Sequence, residues 1–253
     1  MRVRNVCIPG QVQKSATQEH DSADAHQSTA EVAMIAAIEA QKKSDPLVGA
    51  KIAGKEIVSR LINGMKNEKG VHVESLLCAL GALAGYSCQA NLRAQAIARG
   101  LDPNAPFQVV KTNDGEEYYF GDPLNEALAE GKLSVWSLAA AAAQDAGAKS
   151  LPDLNEIFQH TASVLGSDQF GLPRFPSGHN AGDLPANYLT ILWPVIHPVV
   201  QKLAGEPILW PVAYGLAVQE VITTGKTAIA PELAVTLVME AAIPMSKVRL
   251  TSS

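Results

Sequence analysis

The residues able to do acid–base chemistry gather around one segment, Arg174-Phe175-Pro176-Ser177-Gly178-His179-Asn180-Ala181-Gly182-Asp183. His179 could move a proton near neutral pH, Asp183 could orient it, and Arg174 could hold an anionic ligand. Glu156 and His160 stand four apart on a predicted helix, so their side chains can meet on one face. Such a carboxylate–imidazole pair can form a general base or hold a metal. As an exposed helix pair it is worth roughly a few tenths of a kcal/mol. Cys88, in Gly85-Tyr86-Ser87-Cys88-Gln89, falls where a helix is expected to restart after a kink, and a helix start favours a thiolate. The Gly-x-Ser-x-Gly elbow fails there at Gln89. The metal signatures His-Glu-x-x-His and paired Cys-x-x-Cys are absent, so no metal ligands are assigned and no cofactor is named.

A second group is aromatic. Ile191-Leu192-Trp193-Pro194-Val195 recurs as Ile208-Leu209-Trp210-Pro211-Val212 and uses two of the three tryptophans. Because proline favours the first position of a helix, each copy predicts an apolar approach followed by a new helix. Trp193 with His197, and Trp210 with Tyr214, then lie four apart, and the four rings could line a ligand pocket or fill a helix junction.

Pro176-Ser177-Gly178-His179 resembles the central motif of the type 2 phosphatidic acid phosphatase and haloperoxidase family, where the histidine is a proton donor. The family's upstream Lys…Arg-Pro element is missing. So is its downstream Ser-Arg…His…Asp element, since His197 has neither the Ser-Arg before it nor the Asp after it. The resemblance spans four residues and brings neither a phosphate cradle nor a nucleophilic histidine.

The elements that must position these residues read as mainly helical. Aromatics are 5% of the chain and alanine is abundant, which favours close helix packing over a sheet sandwich. Capping and periodicity predict a compact globule of about nine helices, beginning at Ser28-Thr29-Ala30-Glu31. In the second helix Ala50, Gly54, Ile57, Val58, Leu61 and Met65 share a face, with Lys51, Lys55 and Arg60 off it. Residues 73–84 should be buried all round. One small β-hairpin is predicted at about 107–120, around Asn113-Asp114-Gly115. Asp122-Pro123 and Ser134 start further helices, residues 150–166 form another, and the last runs from Pro231 to Pro244. Residues 1–28 form a polar tail whose His20, Asp21, Asp24 and His26 read as a solvated charge run. Residues 29–253 read as a single domain.

Partners follow from charge. The net charge of −5, without a basic run, argues against nucleic acid. Cys7, Cys78 and Cys88 form no Cys-x-x-Cys pair, which fits a reducing, cytoplasmic setting. The apolar stretches 188–200 and 208–218 are too short to span a membrane. From Asp168 to Lys226 there are seven charged residues, so the helices after the loop should be core or subunit interface, and a homo-oligomer is expected through them. The function expected is a binding or assembly module. The alternative is a hydrolase-like or metal-dependent enzyme whose site joins the 168–184 loop to Glu156, His160 and His197. Whether the protein is an enzyme stays open at this level.

Overall fold

Glycine lets two helices touch backbone to backbone, and that contact organises the fold. Helix α3 (Val73–Ala98) crosses α9 (Pro231–Met245) at Gly81 and Gly85. A Cβ on Gly85 would lie 2.0 Å from the carbonyl oxygen of Ala242, and one on Gly81 would lie 2.5 Å from that of Val238. Only glycine fits at these two positions.

The kink and restart expected near Gly85 are overturned, because α3 is one uninterrupted helix of 26 residues. Glycine weakens a helix by about 1 kcal/mol relative to alanine. Here the close approach to α9 accounts for it, and the burial of both faces outweighs that weakness.

The computed structural model describes residues 29, 32–113 and 115–250. The tail histidines and aspartates, and Cys7, lie outside them. The chain divides into two units after Ser44. In the first, residues 32–41 form helix α1. The second unit contains eight helices and one ribbon. Helix α2 (Val48–Met65) buries Ala50, Gly54, Ile57, Val58 and Leu61 and exposes Lys51, Lys55 and Arg60, as its periodicity predicts. Helix α8 (Trp210–Gly225) is central, packing against α2, α3 and α5 (Val135–Asp145). Helix α7 (Pro185–Ala204) lies on α2 and α3. Between α3 and α5 come the ribbon, the short helix α4 (Asp122–Asn125) and a π-turn at Glu126–Glu130; α6 (Leu154–Ser163) precedes the long loop. Ser134 caps α5 by accepting from the amide of Ser137 at 3.1 Å. Among the described residues, no helix is long and apolar enough to cross a membrane.

The ribbon pairs β1 (Gln108–Lys111) with β2 (Glu117–Phe120), antiparallel, with Gly115 at φ +90° in its turn. Two strands alone are marginal in water, and this pair is tied to the helices. The Tyr119 amide donates to the Lys247 carbonyl at 2.9 Å. The side-chain amide of Gln89 donates to the carbonyls of Ser246 and Val248. Lys247 itself is buried, with its ammonium over the rings of Phe120 and Phe158, and burial lowers its pKa to about 8.

The repeated pentapeptide behaves differently in its two copies. The second opens α8 as expected, with Pro211 in the first turn. The first lies in the middle of α7, with Pro194 and Pro198 inside the helix. An interior proline costs a helix about 3 kcal/mol. The inner face of α7 buries Leu189, Ile196, His197, Val200 and Leu203, and that packing holds the helix through both prolines.

The scarcity of charge after residue 168 is also explained mostly within the chain. Helix α8 has Trp210, Val212, Ala213, Tyr214, Ala217 and Val218 buried among its own neighbours. Among the described residues after 168, the large apolar side chains left exposed are Ile191 and Val195 on the outer stripe of α7, Leu184 just before that helix, and Ile208 just before α8.

Candidate functional site

The loop after α6 is held down at both ends. Arg174 donates through Nε to Oε1 of Glu240 at 2.9 Å, through its backbone amide to Oε2 at 3.3 Å, and through Nη2 to Oε2 of Glu156 at 3.0 Å. Shorter contacts from Nη2 to Glu240 and from Nη1 to Glu156 complete the fork. Glu240 is 5% exposed on α9, so its charge is neutralised inside the protein by this guanidinium. The two carboxylates raise the pKa of Arg174, and Arg174 in turn lowers that of Glu156. The proposed Glu156–His160 dyad is therefore not formed: Glu156 turns to Arg174, and His160 adds only a through-space charge.

Five residues further on, Nδ1 of His179 lies 2.5 Å from Oε1 of Glu74, in the first turn of α3. The Asn180 amide donates to Oε2 of the same carboxylate at 3.1 Å. Burial pushes Glu74 up, but the bonds from His179 and Asn180 and the charges of His179 and His72 outweigh it, so its pKa is lowered. Nδ1 of His72 is 2.7 Å from Oγ of Ser75, and Nε2 of His72 is 3.5 Å from Oε2 of Glu74. A serine, two imidazoles and a carboxylate thus meet where the loop crosses the start of α3. Asp183 stands apart from this relay: it accepts from Asn187 and the Leu184 amide, which lower its pKa, and so starts α7. Tyr188 donates to the Ala181 carbonyl at 2.7 Å and, with Phe175, packs on Cys78, Ala181 and Ala241. The loop is a fitted lid over the α3–α9 seam.

The remaining sequence candidates have other surroundings. Cys88 is fully buried inside continuous α3, donates to the Ala84 carbonyl, and has its thiol pushed up to about 12 by burial. The helix start that would have favoured a thiolate is absent, and a buried thiol of this kind is no nucleophile.

His197 joins no loop residue. It stacks on Trp193 with centroids 3.9 Å apart and planes at 14°, lies edge-on to Trp210 at 4.7 Å, and is reached by the Tyr214 hydroxyl at 3.5 Å. Tyr86 adds an edge contact to Trp193 at 4.7 Å. The four candidate rings meet, as their spacing allowed, but they pack on one another: Tyr214 is fully buried and Trp210 is 6% exposed.

Burial lowers the His197 pKa to about 4, against an ordinary 6.5. Between those values the unfolded chain takes up a proton that the folded chain refuses, so stability falls as pH drops through this window. The loss at pH 4 should be about 3 kcal/mol. His197→Phe should remove that part of the acid sensitivity. Parallel urea titrations of both proteins from pH 7 to 4 measure it, and identical slopes would refute it.

Among the described residues, no group of three or more His, Cys, Asp or Glu is placed to hold a metal ion. No protein-family model matches the chain, and neither a curated protein nor a solved structure matches it.

Sequence reasoning missed Glu240, Glu74, His72 and Ser75. Glu240 had a signal: it is the lone charge in the apolar run from Leu237 to Met245, and such a charge needs a buried partner. His72 and Ser75 had their spacing, three apart at a helix start. Glu74 had none, because its hydrogen-bond partners His179 and Asn180 arrive from a loop more than 100 residues away.

Proposed function

We propose that the protein is a helical assembly module that pairs with a second copy of itself through the outer face of α7. The observation that carries this reading is the exposure of Ile191 and Val195, at 64% and 61%. With the exposed Pro194 and Pro198 they fall at i, i+3, i+4 and i+7, forming one stripe. From Pro185 to Gln201 there is no Asp, Glu, Lys or Arg, so the stripe gives a charged partner nothing to bond. A two-fold pair sets this stripe against its own copy, the commonest way soluble chains cover such a face.

Light scattering at micromolar concentration should give twice the 26.7 kDa chain mass. Ile191→Glu combined with Val195→Glu should return a folded monomer with unchanged helix content, because neither side chain is part of the core, and its melting temperature should lose the concentration dependence of the dimer. A monomeric wild type rejects the reading.

A second reading is favoured by the contact between Ser75 and His72. It is hydrolase-like chemistry at the loop: Ser75 Oγ attacks an acyl carbon, His72 takes its proton and passes it to the departing group as the acyl bond breaks, Glu74 stabilises the imidazolium of His72, and His179 orients Glu74. A fluorophosphonate probe should then label the protein, and Ser75→Ala should abolish the label. An unlabelled wild type ends this alternative.

A further inference from the structure

The opening between α3 and the ribbon contains a guanidinium, that of Arg93, with which no carboxylate pairs among the described residues. Its volume is about 330 Å³, and its walls include Tyr86, Gln89 and Arg93 of α3, Tyr119 of β2, and Arg249 beyond α9. Among the described residues no Asp or Glu lines it.

Arg93 is held by groups that immobilise it without neutralising it. Its guanidinium carbon lies 4.3 Å from the centre of the Tyr119 ring and 5.0 Å from that of Phe107. Its Nε donates to Oε1 of Gln89 at 3.0 Å and its Nη1 donates to Oδ1 of Asn104. All four partners are uncharged, and among the described residues no carboxylate pairs with Arg93. Gln89 is itself fixed by its two bonds to the chain after α9.

Arg249 adds a second guanidinium at the same opening, where its ion pair is a 3.4 Å contact with Glu117. Lys111 already holds that carboxylate at 2.7 Å.

A guanidinium has five donors in a fixed planar fork, and two of those of Arg93 are used. Packing against two aromatic rings orders the side chain before any ligand arrives, so binding need not order it. The volume lies at the lower end for small-molecule sites. We propose that this opening binds a small oxyanion, a carboxylate or phosphate group, on the unspent donors of Arg93, with Arg249 as the second arm. This chemistry is independent of the α7 stripe and of the Ser75 relay.

The test is a thermal-shift and calorimetric titration of the full chain with inorganic phosphate and, separately, with citrate, each against sodium chloride at matched ionic strength. Binding to the folded state raises the melting temperature. At least one of the two anions should raise it by a few degrees over chloride, and which one does so assigns the site to phosphate or to carboxylate. Arg249→Gln, at an exposed position, should fold normally and weaken binding severalfold. Arg93→Gln should weaken it by about tenfold or more. If Arg93→Gln does not fold, Arg249→Gln decides. No shift beyond chloride for either anion, or an undiminished response in the folded variants, overturns the proposal.

Discussion

Arg174→Ala is expected to destabilise the protein by about 3–5 kcal/mol, the cost of leaving a buried charge without its partner. The charge at issue is Glu240, which is 5% exposed and receives two side-chain nitrogens and one backbone amide from Arg174. Removing the guanidinium leaves a carboxylate among the apolar residues of α9 with little access to water. Glu156 should behave differently: its side chain is 59% exposed, so Glu156→Ala should leave the urea midpoint close to that of wild type. Combining Arg174→Ala with Glu240→Leu should recover much of the loss, because the penalty belongs to the unpaired charge rather than to the missing contact. Urea midpoints of the four proteins measure all of this. A midpoint for Arg174→Ala within 1 kcal/mol of wild type would show that Glu240 is not buried as described.

The second large effect is a single methyl group. Gly85→Ala would place a Cβ 2.0 Å from the Ala242 carbonyl oxygen, and the neighbouring atoms are backbone, which has no rotamer to yield. Overpacking against side chains typically costs about 1–3 kcal/mol. Here α3 and α9 must separate along their seam, and the variant should be recovered only as insoluble or unfolded protein. Gly64→Ala is the control. It lies in α2 with nothing within 4 Å of the added carbon, and it should stabilise the protein by about 0.5–1 kcal/mol through helix propensity alone. Circular dichroism melts should therefore move in opposite directions for the same chemical change. A folded Gly85→Ala protein with a normal melt would contradict the geometry of the crossing.

Local rules carried most of the fold. The apolar face of α2, the Ser134 cap, the turn ending in Gly115 and the proline start of α8 could all be read from spacing and residue type. They failed where tertiary contacts overrode them. Pro194 reads as a helix start but sits inside α7, because a buried inner face on the same helix outweighs it. Gly85 reads as a kink, but α3 runs through it unbroken, held against Ala242 of α9. The site was less legible for the same reason. Arg174 and His179 were found as residues, but the carboxylates that define their chemistry come from α9 and α3. Arg93 carried no signal at all: the rings that fix it lie in a ribbon whose position relative to α3 no periodicity encodes.

The seam between α3 and α9 also bears on how the molecule opens. At Gly81 and Gly85 the two helices meet backbone to backbone, with no long side chain between them to loosen by stages, so there the backbones either touch or part. The amides of Leu80 to Ala84 should then exchange with deuterium only when the whole second unit unfolds, and report its global free energy. Helix α7 differs, because Pro194 and Pro198 remove the amides that would bond the carbonyls of Thr190 and Pro194. Its outer turns can breathe without disturbing the seam, so exchange should reveal two cooperative units of unequal stability within a single helical body.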